Sequence, residues 1–566
     1  MVGEYHHRSE QFTAGQLRFY KKAWEEITSD NYILQMVSGY RLEFSTAPPK
    51  QMRLPRQINC SEIEKLAIAK EIERLLVKDV IEISSHETNE FLSNVFARAK
   101  KDGGLRMILN LRELNLFIEY HHFKMDTLST GLKLITPGCF MASIDLRDAY
   151  YSVPIHVQDH KYLKFMWENT LYKFKALPNG LTSGPRMFTK LLKPPFSVLR
   201  KKGHIITGYI DDTLLIAKDI KQTQRSVIET CNLLTKLGFV IHPKKSVFVP
   251  CQEITFLGFV LNSVTMTVRL TDEKKKEIWQ LCKKLPHMRS PSIRHVAGVI
   301  GKIVATFPGV ECGRLHYREL EKDRNEALTK SKGNYDVPMV LSAKARTELL
   351  WWSHNIMTAT AKIARQAPDV WLETDASGSG WGAFNGKERI GGRWNREEIQ
   401  LAASHSINYM EMWAAFLALQ AFFATTTNCH ILLRMDNTTA VAYLNDMGGI
   451  KSQPCNELAK RIWQWCTERG CWLTAAYLPG KANVIADAMS RKFNDQIEWQ
   501  LNVCIFNRIN DEFGPFEIDL FASRLNKQLG RYCAWKPDPA AVAVDAFSVD
   551  WTNKYFYAFP PFCLVG

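Results

Sequence analysis

Ile205-Ile206-Thr207-Gly208-Tyr209-Ile210-Asp211-Asp212-Thr213-Leu214-Leu215-Ile216-Ala217 joins two apolar runs through a pair of carboxylates. Runs of this length and β-branched content predict strands over 205–210 and 213–217, with the acids at the turn between them. Read alone, an Asp-Asp pair at a hairpin is more often a turn than a site. A third acid changes the weighting, because the apolar run Phe140-Met141-Ala142-Ser143-Ile144 ends on Asp145. Two such strands side by side would bring three carboxylates to one sheet edge. Phosphoryl chemistry on a pair of Mg²⁺ ions needs hard oxygen donors of this kind.

Upstream, Ile63, Leu66, Ala67, Ile68, Ile72, Leu75 and Leu76 recur at helical spacing with Ser61 as a cap, which predicts a helix over 61–78. Short apolar runs predict strands over 80–83, 94–99, 107–111 and 140–146, and helices follow over 183–201 and 221–237. The alternation implies a mixed sheet covered by helices. Beyond Leu270 the chain turns basic and helical to about residue 365; residues 266–365 hold 19 Lys or Arg against 10 Asp or Glu, hence +9 of the net +15. That stretch suits a polyanionic partner, with a solvated basic face as the alternative. A fresh strand opens over 370–373.

A length of 566 residues, 46% hydrophobic and 23% charged, implies several folded units rather than disorder. The 13 cysteines include no Cys-x-x-Cys pair, so neither a disulfide framework nor a zinc knuckle is indicated, and free thiols fit a cytoplasmic or nuclear setting. The first residues, Met-Val-Gly-Glu-Tyr-His-His, lead into no apolar core, so no signal peptide is expected. The most apolar run, 410–423, contains Glu411 and is too short to cross a bilayer; no membrane partner is expected.

A second set of acids lies downstream. Asp375 ends the run Leu372-Glu373-Thr374-Asp375, with Gly378, Gly380 and Gly382 allowing close backbone approach after it. Glu411 opens the apolar helix, where a buried carboxylate is costly unless it is paired or binds metal; an exposed helix edge is the alternative. Asp436 ends Leu432-Leu433-Arg434-Met435, and Asp487 falls on a short helix after Pro479-Gly480.

Ser143-Ile144-Asp145-Leu146-Arg147-Asp148-Ala149-Tyr150-Tyr151 followed by Tyr209-Ile210-Asp211-Asp212 resembles motifs A and C of retroelement reverse transcriptases. The resemblance implies Asp145, Asp211 and Asp212 as metal ligands for two Mg²⁺ or Mn²⁺ ions, and Tyr150 as the gate against ribose. Lys100-Lys101-Asp102-Gly103-Gly104-Leu105-Arg106 is similar to the segment that grips the incoming triphosphate, through Arg106 with Lys100 or Lys101. Leu177-Pro178-Asn179-Gly180 resembles the loop against the nucleotide, although many relatives carry Gln or Phe at Asn179. Pro243-Lys244-Lys245-Ser246 resembles motif D, with Lys245 as candidate acid toward pyrophosphate. Phe256-Leu257-Gly258-Phe259 resembles the primer-grip hairpin.

Asp375, Glu411, Asp436 and Asp487 follow in the order of the four-carboxylate centre of ribonuclease H, and Ala486-Asp487-Ala488-Met489-Ser490-Arg491 is like the ending found in long-terminal-repeat retroelements. That centre implies two-metal hydrolysis of the RNA in RNA-DNA hybrids. Relatives often carry a His where this chain has Tyr477. The implied fold is multidomain α+β and α/β. It has an N-terminal extension over 1–45, polymerase fingers and palm over 46–262, thumb and connection over 263–365, an RNase H-like domain over 366–492 and a tail over 493–566. Expected partners are an RNA template, a DNA primer, RNA-DNA hybrid and deoxynucleoside triphosphates; no oligomeric state is implied. Asp519-Leu520-Phe521-Ala522-Ser523 and Asp545-Ala546-Phe547-Ser548 look like the region after ribonuclease H in DIRS-type and Ngaro-type (tyrosine-recombinase) retrotransposons. Tyr557-Ala558-Phe559-Pro560-Pro561-Phe562 is also like the Asn-Pro-Pro-Tyr loop of adenine methyltransferases, but with Phe559 in place of Asn a structural tail is preferred. A decayed or host-adopted copy that only binds nucleic acid is the alternative function.

Overall fold

The computed structural model describes residues 12–51, 53–55, 58–99, 104–493, 499–552 and 554–561. Contacts divide the chain into two bodies, one running to Thr271 and taking in Thr360–Ala364, the other comprising Asp272–Ala359 and everything from Arg365 on.

In the first body a capped helix, Glu62–Val77, carries a capping box in which Ser61 and Glu64 exchange hydrogen bonds. It lies by a five-stranded sheet in the order Ile81–Ile83, Thr170–Phe174, Lys164–Trp167, Leu92–Ala99, Leu105–Asn110. A second sheet holds the acids and runs Ile205–Tyr209, Asp212–Ala217, Phe140–Asp145, Val247–Cys251, all antiparallel. Helices Gly184–Lys201 and Ile220–Lys236 cover it. Ala142, Ile144, Ile206 and Leu215 enter one core with Phe188, Leu191 and Leu234 from these helices. Alternating strand residues thus fix the register, since a slip of one would turn the apolar set outward. Beyond it a third sheet, Glu253–Phe256, Phe259–Asn262 and Thr267–Leu270, is extended by Ala361–Lys362. That pairing returns 360–364 to this body.

The second body contains the helices Asp272–Lys284, Ile293–Val304, Arg318–Lys330 and Ala343–Asn355. They join the next unit through polar bonds that are wholly or partly buried: Lys460 Nζ meets Glu348 Oε1 at 2.7 Å, and Glu319 Oε1 accepts from Gln453 at 2.9 Å and Asn456 at 3.2 Å. The following sheet runs Arg389–Arg393, Gly380–Phe384, Val370–Ala376, His430–Met435, Trp472–Tyr477, the first three antiparallel and the last two parallel additions. Helix Ile407–Phe423 is buried against it through a face that is apolar except for Glu411. This unit is a mixed sheet packed with helices, an α/β arrangement as expected from the sequence. The tail is fastened here too, Arg524 Nη1 donating to both Glu398 oxygens at 2.9 and 2.8 Å with both side chains nearly buried. Among the described residues no helix is long and apolar enough to cross a membrane.

Candidate active sites

Antiparallel pairing sets Asp145 directly opposite Asp212, and the two-residue turn Ile210-Asp211 places the third acid above them, where Leu146 N–H donates to the Asp211 carbonyl at 3.2 Å. Ile210 has φ 55°, a left-handed conformation that a β-branched residue adopts at a cost of about 1–3 kcal/mol. Strain is therefore concentrated at the turn that presents the carboxylates. Asp145 is buried; its N–H donates to Ser246 Oγ at 3.0 Å, its carbonyl accepts from His242 N–H at 2.8 Å, and Oδ1 has no hydrogen-bond partner. Burial raises its pKa, offset in part by Lys245, whose Nζ stands 3.8 Å away. Burial, then Asp211 and Asp145, push Asp212 up to about 6. Such crowding of like charge is relieved when a cation enters.

A cavity of about 570 Å³ opens beside these acids, lined by Asp211, Tyr150, Asn179 and Lys245 and walled by Arg74, Lys78 and Arg147. Tyr150 is held edge-on by Phe188, ring centroids 5.4 Å apart. Asn179 Nδ2 reaches only the Tyr151 hydroxyl, at 3.4 Å. Lys78 closes one wall by pairing with Asp148 at 2.5 Å.

Asp375, Glu411 and Asp436 are, among the described residues, the one trio of His, Cys, Asp or Glu whose ligand atoms all lie within 4.8 Å of one another. The Asp145, Asp211 and Asp212 set is more open. Glu411 is 4% exposed and its Oε2 has no hydrogen-bond partner; burial, then Asp375 and Asp436, push its carboxyl up to about 9. An all-oxygen trio with an unpartnered buried carboxylate oxygen fits a hard divalent cation. Asp487 lies outside the trio, its Oδ1 taken by Arg491 at 2.7 and 2.8 Å.

The helix carrying Asp487, Val484–Arg491, lies on a surface flattened by glycine. A Cβ on Gly382 would stand 2.1 Å from the Ala486 carbonyl and 2.5 Å from the Ser490 nitrogen, and one on Gly391 would stand 2.5 Å from the Met489 carbonyl. These neighbours are backbone and cannot swing aside. Gly382→Ala is accordingly expected to cost about 1–3 kcal/mol or more, read as a fall of several degrees in the calorimetric midpoint of this body; an unchanged midpoint would contradict the close approach.

The structure thus gathers Asp145, Asp211, Asp212, Tyr150, Asn179 and Lys245 in one place and Asp375, Glu411 and Asp436 in another, with Asp487 beside the latter. Arg106 sits exposed on its strand, paired with Arg98, and does not line the cavity. Lys100 and Lys101 lie outside the described residues. Tyr477 ends its strand and is half exposed. Lys78 and Arg74 escape the sequence reading, since each is an ordinary polar residue at or near the end of a helix and only tertiary contact marks it; Ser490 is quoted there only within its motif, without a role. Ser246 likewise appears in the sequence only within its motif, and its role is seen only in the fold.

Residues 99–261 match the family model for reverse transcriptase (RNA-dependent DNA polymerase). The Gag-Pro-Pol polyprotein of Mason-Pfizer monkey virus is 29% identical over 196 residues, covering 32% of this chain and 11% of that protein. The enzymatic polyprotein of Cauliflower mosaic virus (strain Strasbourg) is 23% identical over 468 residues, 79% of this chain and 64% of that one. The genome polyprotein of Petunia vein clearing virus (isolate Shepherd) is 23% identical over 464 residues, with 78% and 20% covered. The chain therefore spans less than two thirds of the length of these relatives. Among solved structures, the foamy viral protease-reverse transcriptase in complex with RNA/DNA hybrid aligns with a TM-score of 0.49 and 15% identity, over 86% of this chain and 65% of that one. The three acids converge on one sheet edge inside the span, residues 99–261, over which the chain is similar to the reverse transcriptase family model.

Proposed function

We propose that the chain copies RNA and DNA templates into DNA at Asp145, Asp211 and Asp212, and cleaves the RNA of RNA-DNA hybrids at Asp375, Glu411, Asp436 and Asp487. The observation that carries the first half is the Asp145–Asp212 register beside a cavity whose walls are Arg74, Lys78, Arg147 and Lys245. Asp145 and Asp211 would hold two Mg²⁺ or Mn²⁺ ions with Asp212 in support, and the four downstream acids would hold a second pair. Bound there, the ions supply Lewis acidity and neutralise charge on the reacting phosphate. The chain's own residues orient and discriminate. Lys245 would give a proton to pyrophosphate, while Arg106 with Lys100 or Lys101 would grip the triphosphate from the fingers segment. Asn179 would lie against the nucleotide.

In this reading residues 46–262 are fingers and palm, 263–365 thumb and connection, and 366–492 the ribonuclease H. The basic helices from Asp272 would hold duplex by its backbone, without reading sequence. We place the chain's origin among DIRS-type or Ngaro-type retrotransposons on the wording of its tail, and its work in the cytoplasm or nucleus. Its 12 described cysteines, all free, suit that setting.

The test is dTTP against UTP incorporation on poly(rA)·oligo(dT) in Mg²⁺ or Mn²⁺. The intact protein should extend with dTTP and reject UTP. Tyr150→Val, which removes the ring at the cavity, should raise UTP use relative to dTTP roughly 10-fold or more. No dTTP incorporation by the intact protein would sink the reading.

A further inference from the structure

Ser490 is fully buried, and its hydroxyl lies 2.7 Å from Asp375 Oδ2 and 2.9 Å from the main-chain carbonyl of Asp487. One hydroxyl carries one proton, so it serves one acceptor at a time, and a carboxylate is the stronger. Its own carbonyl accepts from Ser377 Oγ at 2.6 Å, on the turn after the Asp375 strand. The helix beneath is held close to the sheet by Gly382 and Gly391. A single side chain therefore links a strand-borne acid to the helix that bears Asp487. The geometry points to Ser490 as a positioning residue for Asp375: it engages one carboxylate oxygen, leaves the other available, and fixes the distance between the two elements that carry the acids. The inference rests on the ribonuclease reading of this site for its chemistry but not for its geometry.

Partners of metal-ligating carboxylates typically change ion affinity 10–100-fold when removed. In an Asp211→Asn, Asp212→Asn background, which weakens ion binding at the polymerase acids, Ser490→Ala in the full chain should bind Mn²⁺ roughly 10-fold more weakly by titration calorimetry or electron paramagnetic resonance. Ser490→Cys, which keeps the shape and a weak donor, should fall between. Ser377→Ala is the structural control, since it loosens the same helix without touching Asp375. It should lower the metal-free thermal midpoint and leave Mn²⁺ affinity within about twofold of the parent. Equal Mn²⁺ affinity for Ser490→Ala and its parent, or equal losses for Ser490→Ala and Ser377→Ala, would overturn the inference. Hybrid cleavage by the intact protein is measured separately. Its absence with Mn²⁺ binding and the Ser490 effect retained would overturn the ribonuclease reading alone.

Discussion

Primer extension by the Asp211→Asn, Asp212→Asn variant is expected to fall roughly 10³-fold or more, since losing even one preorganised electrostatic contact at a reacting centre commonly costs 10²–10³. Asparagine keeps the shape of aspartate but offers neutral oxygen, which a hard divalent ion binds poorly. The loss should not come from unfolding. Asp212 is pushed to about 6 by burial and by Asp211 and Asp145, so the native state holds a proton there that the unfolded chain releases. Stability from this group is therefore lost as pH rises from near 4 toward 6, and a neutral side chain removes the penalty. At pH 7–8 in chelator the variant's first-body midpoint should match or exceed that of the parent. Retention of more than a tenth of the extension rate, or a marked drop in midpoint, would contradict the role given to these acids.

Glu411→Gln should abolish hybrid cleavage while making the metal-free protein more stable. Burial, with Asp375 and Asp436 close by, pushes Glu411 to about 9 against an ordinary 4.5. Between those values the native state binds more protons than the unfolded state, so stability falls as pH rises through the window. Glutamine is neutral throughout. In chelator, scanning calorimetry at pH 8 should place the variant's second-body midpoint a few degrees above the parent's, and the parent's decline between pH 5 and 8 should flatten. Mn²⁺ should raise the parent's midpoint much more than the variant's, because only an ionised carboxylate pairs well with the ion. A variant less stable than the parent at pH 8, or a parent whose midpoint does not fall with pH, would show that Glu411 is held in some other way.

Much of this arrangement was legible from periodicity. The runs at 205–210 and 213–217 became Ile205–Tyr209 and Asp212–Ala217, and the helix read over 61–78 became Glu62–Val77. Acids at the ends of apolar runs favour a sheet edge, and Glu411 within an apolar helix pointed to a buried carboxylate over an exposed helix edge, which is where the structure puts it. Periodicity is silent about partners. It saw the basic helices after Leu270 but not that Glu348 and Glu319 are bonded to Lys460, Gln453 and Asn456, which sets that segment with the second body. Nor could it show that Lys78 and Arg74 wall the cavity while Arg106 stays off it. Ser490 looked like any helix-end serine until the glycine-flattened sheet brought it to Asp375.

On the proposed reading one chain carries two separable acid centres with two activities. A labelled RNA template annealed to a DNA primer reports both at once, as primer lengthening and template shortening in the same reaction. The intact protein should do both in Mg²⁺ or Mn²⁺; Asp211→Asn, Asp212→Asn should stop lengthening and still cut the RNA of a preformed hybrid; Asp436→Asn should lengthen the primer and leave the template whole. Loss of both activities in either variant despite normal unfolding midpoints, or neither activity in the intact protein, would contradict it.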